Sequence, residues 1–259
     1  MSPPDIGLLL TVGGWQTGAA SAAFLAGMEI QALAILNYPE YDPQPWHGTL
    51  IVIAIAVLCG LFNTFLARKL PLVEGTVLIL HILGFFAIII PLWVLAPRSD
   101  AKAVFTEFNP GGWSSTGLAG LVGILGPTVS LLGSDAATHM SEELQDASYI
   151  LPRAMITTAV VNGTLGFAML ITICFCLGDL DAVLGSRTGA FGYPFVEIFR
   201  EGTQSVGGAT GMTCILIILS TFCCVTNIAT SSRQLFAFAR DQGVPFSAFF
   251  AYVSCTLRG

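Results

Sequence analysis

The sequence predicts an all-helical integral membrane protein with six transmembrane helices. Apolar residues make up 54% of the chain and charged residues only 10%, and the mean hydropathy is +0.78. Soluble domains rarely have such a composition. The charge-free stretches are 6–28, 50–67, 75–97, 111–134, 154–178 and 202–232. Each is close to the roughly 20 apolar residues that a helix needs to cross a bilayer, whereas a soluble helix keeps one polar face for water.

The six predicted spans follow one another along the chain and are joined by polar links. Their approximate bounds are 7–36, 49–67, 72–96, 115–140, 154–178 and 209–238. Both chain ends then lie on one side of the membrane. That side collects six of the ten basic residues, which favours it as the cytoplasmic side. No basic patch suggests a nucleic acid partner, and the seven cysteines form no Cys-x-x-Cys pair that would indicate a zinc site.

The first span is rich in glycine and alanine between residues 14 and 27. Such a surface lets neighbouring helices approach closely. Glu29 follows on the same helix, and it either lines a polar path or lies at the membrane interface. The loop at 37–48 contains turn-forming residues together with Trp46 and His47, which we expect at the level of the lipid headgroups. The second span then ends near Arg68.

His81 is a titratable residue inside the third apolar stretch. An intramembrane histidine can relay protons, because its pKa lies near physiological pH. It can equally stay neutral and form a hydrogen bond to a neighbouring helix. Both interpretations remain open at the level of the sequence.

The fourth span contains features that predict a broken membrane helix. Gly126 and Pro127 interrupt the apolar stretch, Gly133 follows, and Asp135 stands at its end. A proline removes a backbone hydrogen bond, and a carboxylate next to hydrocarbon is costly. Transporters use broken helices of this kind to expose backbone groups to a substrate. We therefore expect residues 129–133 to be non-helical at mid-membrane depth; an ordinary helix end in the headgroup zone is the alternative.

His139, Glu142 and Glu143 follow the fourth span and would share one face of a helix. This spacing suggests a metal site, but a catalytic zinc ion needs a third strong ligand that no second cluster supplies. We therefore predict neither a metal nor another cofactor. A solvated cytoplasmic helix end is the favoured interpretation, and it could form a gate held by charge pairing to Arg153 or Arg240.

The last part of the chain contains a long mixed loop and a partly polar span. Residues 193–195 (Tyr-Pro-Phe) in the loop at 178–208 suggest a short interfacial helix. The final span carries Thr226, Asn227 and Thr230 on an otherwise apolar helix. Hydroxyl groups can bond back to carbonyls of their own helix. Asn227 requires a better partner.

Several motifs in sequence order resemble amino acid permeases of the amino acid–polyamine–organocation superfamily. They are Gly133-x-Asp135, His139-x-x-Glu142-Glu143, 152–155 (Pro-Arg-Ala-Met) and 236–245 (Phe-Ala-Phe-Ala-Arg-Asp-Gln-Gly-Val-Pro). Shorter motifs at 14–16, 37–39, 46–48 and 71–74 are similar to the fungal branch of choline, GABA and general amino acid permeases. The resemblance covers about residues 10–253.

The resemblance implies a twelve-span leucine-transporter fold with two five-helix inverted repeats and alternating access. The six spans of this chain would correspond to the third to eighth helices of that fold. The first two and the last four helices would then be missing, so the resemblance implies a fragment. We expect such a fragment to be inactive alone.

The resemblance also implies roles for individual residues. Substrate contacts would come from Gly18, Ala22, Val129, Ser130, Leu131, Gly133, Asp135 and Asn227. Free carbonyls near 129–133 would hold a substrate ammonium, and Asp135 would pin the second half-helix or its partner. His81 falls near a lysine of some proton-coupled relatives, while Thr226 and Asn227 fall near the cation site of sodium-coupled relatives.

We therefore expect a multi-pass protein of the plasma or vacuolar membrane rather than a soluble enzyme. Its cargo would be an amino acid or a related small amine, and its transport would be coupled to a proton or to sodium. The alternative is a truncated membrane protein that does not transport but acts as a binding or regulatory partner. A third hypothesis is an intramembrane metal-dependent enzyme built on His139, Glu142 and Glu143, and it is the least favoured.

Overall fold

The computed structural model describes residues 3–252, without the side chains at 3–9, 130, 139, 140, 142 and 143. All regular elements in this range are helical. The α-helices are α1 (Pro3–Asn37), α2 (Pro45–Phe65), α3 (Leu70–Leu95), α4 (Ala101–Thr106), α5 (Thr116–Gly123), α6 (Leu125–Ser130), α7 (Ala147–Cys176), α8 (Leu180–Gly185), α9 (Arg187–Ala190), α10 (Pro194–Thr203), α11 (Val206–Arg240) and α12 (Ser247–Phe250). Short 3-10 helices lie at Ala67–Lys69 and Ala136–Glu143.

Five helical segments within residues 3–252 are long and apolar enough to cross a membrane. They are Leu10–Asn37, Pro45–Phe65, Ala67–Leu95, Ala147–Cys176 and Val206–Arg240. Their long apolar stretches account for this, because no polar face is needed where lipid or protein covers the helix. The all-helical membrane fold class predicted from the sequence is therefore confirmed, with five long spans among the described residues.

The fourth predicted span, 115–140, is not one long helix. It consists of α5 and α6, a turn at 131–135, and the 3-10 helix Ala136–Glu143. Pro127 lies in the first turn of α6, where a missing N–H is tolerated. Gly133 adopts a φ of 88°, which a residue with a β-carbon rarely does. The predicted break is therefore present, but Val129 and Ser130 are still helical and the break begins at Leu131.

One compact unit contains the described residues of 1–31, 41–81 and 214–259. Its core is formed by small side chains of α1 that pack against α2, Leu70 and α11. The buried residues are Ala22, Ala23, Ala26, Ile55, Cys59, Leu70, Cys224, Val225 and Ala229. Asn63 Nδ2 donates to Cys59 O and to Val225 O, each at 2.9 Å, and so connects α2 to α11. The predicted close approach of helices on the glycine- and alanine-rich surface occurs here.

The second compact unit contains residues 32–40 and 82–213. Trp93 Nε1 on α3 donates to the buried Thr172 Oγ1 on α7 at 2.8 Å. The predicted short helix near 193–195 is α10, whose buried face includes Val196, Ile198 and Phe199. Prolines favour the first helical turn, which explains why α10 begins at Pro194.

The carboxyl end of α1 is held by two later parts of this second unit. Arg187 Nη1 donates to Ile35 O at 3.4 Å and to Tyr38 O at 3.5 Å. Asn37 Nδ2 donates to Thr210 Oγ1 at 3.0 Å. The last carbonyls of a helix lack partners within it and carry partial negative charge, so a guanidinium group is a suitable partner for them.

Candidate functional site

In the first unit, α1 and α11 bring together two residues that the sequence assigned to the substrate site. A β-carbon added at Gly18 would lie 3.4 Å from Asn227 Oδ1, so the backbone of α1 runs directly past this amide. Ala22, one turn further along α1, belongs to the apolar core. Gly18 and Asn227 are thus in contact, whereas Ala22 packs against apolar neighbours.

The hydrogen bonds of Asn227 and Thr226 are made largely within α11. Asn227 Nδ2 donates to Cys223 O at 2.9 Å, and Thr226 Oγ1 donates to Phe222 O at 3.2 Å. The amide nitrogen that seemed to need a distant partner is therefore bonded to its own helix. The two side-chain oxygens keep lone pairs with which they could accept a hydrogen bond or bind a cation.

Two polar residues extend this contact and were not selected from the sequence. Gln16 Nε2 on α1 donates to Ser231 O on α11 at 3.5 Å. Thr230 is fully buried, and its hydroxyl oxygen has no hydrogen-bond partner among residues 3–252. The signal for Gln16 was present in the motif at 14–16, and Thr230 had been noted only as a polar residue. We call Gln16, Gly18, Asn227, Thr230 and Ser231 the polar seam.

In the second unit, the turn at 131–135 places its apolar side chains outward. Val129 and Leu131 are exposed, and Leu132 is 71% exposed. Asp135 stands immediately before the 3-10 helix, and its carbonyl accepts hydrogen bonds from Thr138 N at 2.8 Å and from Thr138 Oγ1 at 2.7 Å. The side chain of Ser130 lies outside the described residues. Through these two hydrogen bonds, the backbone of Asp135 connects the turn to the 3-10 helix that follows.

The predicted gate is described only in part. His139, Glu142 and Glu143 lie on a 3-10 helix rather than an α-helix, which corrects the predicted α-helical face. Their side chains lie outside the described residues. Arg153 places its guanidinium 3.8 Å from the centre of the Tyr149 ring. Arg240 Nε lies 3.9 Å from Asp241 Oδ1, and both side chains are largely exposed.

His81, for which the sequence left a proton relay and a neutral hydrogen-bonded histidine open, is exposed on α3. The described part of the chain contains no group of three or more histidine, cysteine, aspartate or glutamate residues that could hold a metal ion. The side chains of His139, Glu142 and Glu143 are outside that search.

Two buried polar residues near the carboxyl half of α1 were not predicted as such. Glu29 is 4% exposed and Gln31 is 2% exposed. Gln31 Nε2 donates to Tyr41 Oη at 3.1 Å, and Tyr41 Oη lies 2.9 Å from His47 Nδ1. The sequence left Glu29 between a lining and an interfacial position, and the structure encloses it within the first unit.

A charged cluster lies outside the spans, on α10. Arg200 pairs with Glu197, which is buried, and with Glu201. The hydrogen bond to Glu197 raises the pKa of Arg200, so this guanidinium stays charged. The cluster therefore stabilises the loop helix.

Comparisons with known proteins point to a single family. The model of the amino acid permease family matches residues 6–258. A Macrophomina phaseolina protein provisionally named an amino acid/polyamine transporter is 31% identical over 252 residues, which are 97% of this chain and 55% of that protein. The choline transporter of Saccharomyces cerevisiae is 30% identical over 239 residues, covering 91% of this chain and 42% of the transporter.

A third relative is an uncharacterised amino-acid permease of Schizosaccharomyces pombe, 29% identical over 93% of this chain and 44% of its own length. The chain spans about half the length of the relatives it matches. No solved structure matches it. These relatives are named as transporters and permeases, so the hypothesis of an intramembrane enzyme is set aside. The resemblance inferred from the motifs is confirmed, and the chain belongs to the amino acid permease family.

Proposed function

We propose that this chain forms part of a secondary active transporter that carries amino acids or related small amines across the plasma or vacuolar membrane. The observation that carries this proposal is the family match, which extends over residues 6–258. The names of two relatives give the cargo class, since one includes amino acids and polyamines and the other choline. The helices of this chain that are long enough to span a membrane support multi-pass insertion.

The finer part of the proposal concerns the fold. Five long spans together with the short apolar helical segment Thr116–Val129 would make up six spans. We propose that they correspond to the third to eighth helices of a twelve-span inverted-repeat transporter. The interruption at 131–135 supports this, because such transporters place broken helices where substrate binds.

Within the first unit, we propose the polar seam as a lining of the transport path. Gly18 brings the α1 backbone next to Asn227 Oδ1, and Thr230 adds a buried hydroxyl with no assigned partner among residues 3–252. Buried polar atoms are normally hydrogen-bonded, and those without a partner require an explanation. A polar or cationic cargo group next to these oxygens is such an explanation.

Within the second unit, we propose that backbone carbonyls of residues 129–133 attract the ammonium group of the cargo. The end of α6 at Ser130 supports this, because the last carbonyls of a helix carry partial negative charge. Val129 O and Gly133 O already accept hydrogen bonds from Leu132 N and Ala136 N, so each would use its second lone pair. Asp135 would keep the following 3-10 helix in place. His139, Glu142, Glu143 and Arg153 remain our proposal for charged residues of a cytoplasmic gate, with Arg240 as a further cation.

The test is uptake of labelled choline, GABA and amino acids by the full-length gene product in liposomes. We expect saturable uptake of at least one of these compounds. The variant Asn227→Ala should reduce it by roughly 5- to 150-fold, the effect of losing about 1–3 kcal/mol of hydrogen bonding to cargo. The matched control is Asn162→Ala, which removes an exposed asparagine of α7 and should leave uptake unchanged.

Absence of uptake for every labelled compound would contradict the proposed function. Equal uptake by the wild type and Asn227→Ala would contradict the role of the polar seam. A non-transporting membrane protein that binds or regulates a partner is the second candidate function.

The coupling ion can be tested with His81→Gln. Proton coupling through His81 predicts that this variant loses the pH dependence of uptake while it still folds. Sodium coupling at Thr226 and Asn227 predicts that uptake requires sodium and is unaffected by the variant. The measurement is initial uptake at several external pH values, with and without sodium, and circular dichroism checks the fold.

A further inference from the structure

Glu29 carries a buried carboxyl group on a helix that is long and apolar enough to span a membrane. It lies in the span Leu10–Asn37, eight residues before its end, which places it about 12 Å along the helix from Asn37. Its side chain is buried, and Oε2 has no hydrogen-bond partner among residues 3–252. The residues of this chain already enclose Glu29, so its environment is set by the first unit.

The surroundings of Glu29 provide one hydroxyl group. The side chain of Ser220 on α11 lies close to the carboxyl group. On the other side, α2 packs directly against α1, since a β-carbon at Gly27 would lie 2.7 Å from Val52 Cγ2. Between residues 10 and 37, α1 itself carries no charged side chain except Glu29. The carboxyl group therefore has a polar neighbour but no cation from its own helix.

The helices packed against Glu29 also offer no paired cation. Their titratable groups within the first unit are His47 and Cys59 on α2, and Cys214, Cys223, Cys224, Arg233 and Arg240 on α11. His47 Nδ1 is bonded to Tyr41, and the two arginines lie about 20 Å or more along α11 from Ser220. No ion pair joins Glu29 to a described residue.

This geometry favours the neutral form of the carboxyl group while it is enclosed. An ionised carboxylate in a membrane interior requires a cation, several donors or water. Gln31, two residues later, is equally buried and has an oxygen without a partner among residues 3–252, but an amide cannot titrate. Glu29 can change its charge by one proton. It can do so only when water or a cation reaches its oxygens.

We infer that Glu29 binds the proton that is coupled to cargo uptake, an inference that rests on the proposed transport function. The carboxylate takes up one proton where water reaches it and becomes a carboxylic acid. The neutral acid is then enclosed between α1, α2 and α11, as in this structure. It returns the proton to water on the other side and becomes a carboxylate again.

The other two coupling candidates have different surroundings. His81 is exposed on α3, so the helices of this chain do not enclose it. Thr226 does not titrate, and its hydroxyl donates to Phe222 O. Glu29 combines burial with the ability to carry a proton.

The first test measures proton-driven uptake by the full-length gene product in liposomes. An inward gradient of one pH unit should increase wild-type accumulation by up to about tenfold, the limit for one proton per cargo molecule. Glu29→Gln should lose this increase but retain exchange of labelled for unlabelled cargo without a gradient. Glu29→Asp should restore the increase. The matched control Glu40→Gln removes an exposed loop carboxylate and should behave as the wild type.

Gradient-driven accumulation that survives in a folded Glu29→Gln variant would overturn the inference. The second test does not depend on transport, and it uses infrared difference spectra of the 259-residue chain in lipid. The wild type should show the carbonyl band of a buried protonated carboxyl group. Glu29→Gln should remove this band, Ser220→Ala should shift it, and Glu40→Gln should leave it unchanged. Absence of the band in the wild type would overturn the inference, whereas absence of uptake with the band present would contradict only the transport function.

Discussion

Liposomes that contain only these 259 residues are expected to take up no more labelled choline, GABA or amino acid than empty vesicles. The chain spans 42% to 55% of the lengths of its relatives. In the proposed fold, half-helix ends from two inverted repeats converge on the substrate. The turn at 131–135 has outward-facing apolar side chains, and each unsatisfied backbone group in hydrocarbon costs several kcal/mol.

The control for this experiment is the full-length gene product, reconstituted at the same protein-to-lipid ratio. Insertion of both proteins is checked by protease protection, so that a missing signal cannot arise from failed reconstitution. Saturable uptake by the 259 residues alone would contradict the expectation. It would require an assembly of several copies that completes the transport path.

Replacing Gly27 with leucine is expected to disrupt the packing of α1 against α2. A β-carbon at this position would lie 2.7 Å from Val52 Cγ2 and 3.3 Å from both Val52 N and Val52 Cα. The side chain could rotate, but the backbone atoms would have to move, and a leucine adds three further carbons. Overpacking of this kind costs about 1–3 kcal/mol. The midpoint of thermal unfolding in detergent, followed by tryptophan fluorescence, should fall.

The matched control is Gly13→Leu on the same helix, where a β-carbon would meet no atom within 4 Å. This variant should unfold near the wild-type temperature or slightly above it, because leucine has a higher helix propensity than glycine. Equal unfolding temperatures for Gly27→Leu and Gly13→Leu would show that the close contact with Val52 does not stabilise the unit.

The long spans were predictable because segregation of charge is a strong signal that needs no knowledge of packing. The region 115–140 shows where this signal fails. Hydropathy measures how apolar a stretch is, and it is insensitive to whether the backbone stays helical. Gly126, Pro127 and Gly133 indicated a break, but Pro127 could begin a helix as well as end one. The break therefore begins at Leu131 rather than at Val129.

The candidate site was less predictable than the spans. The contact of Gly18 with Asn227 joins residues that are far apart in sequence, and the family resemblance rather than any local pattern selected them. Burial of Glu29 depends on which face of α1 packs against α2 and α11. A glycine- and alanine-rich helix has several faces that can pack closely, so composition alone could not decide this.

The carboxyl end of α1 also bears on how the protein is made. Its terminal carbonyls bind Arg187, which lies 152 residues after Ile35, and Asn37 binds Thr210, which lies 173 residues later. At a synthesis rate of about 5–20 residues per second, roughly 8–35 s separate the emergence of this helix end from that of its partners. During this interval, water, lipid headgroups or the insertion machinery must satisfy these groups. The end of α1 thus gains these partners only after the loop between α7 and α11 and the first turns of α11 have been translated, which ties its final docking to the synthesis of those later segments.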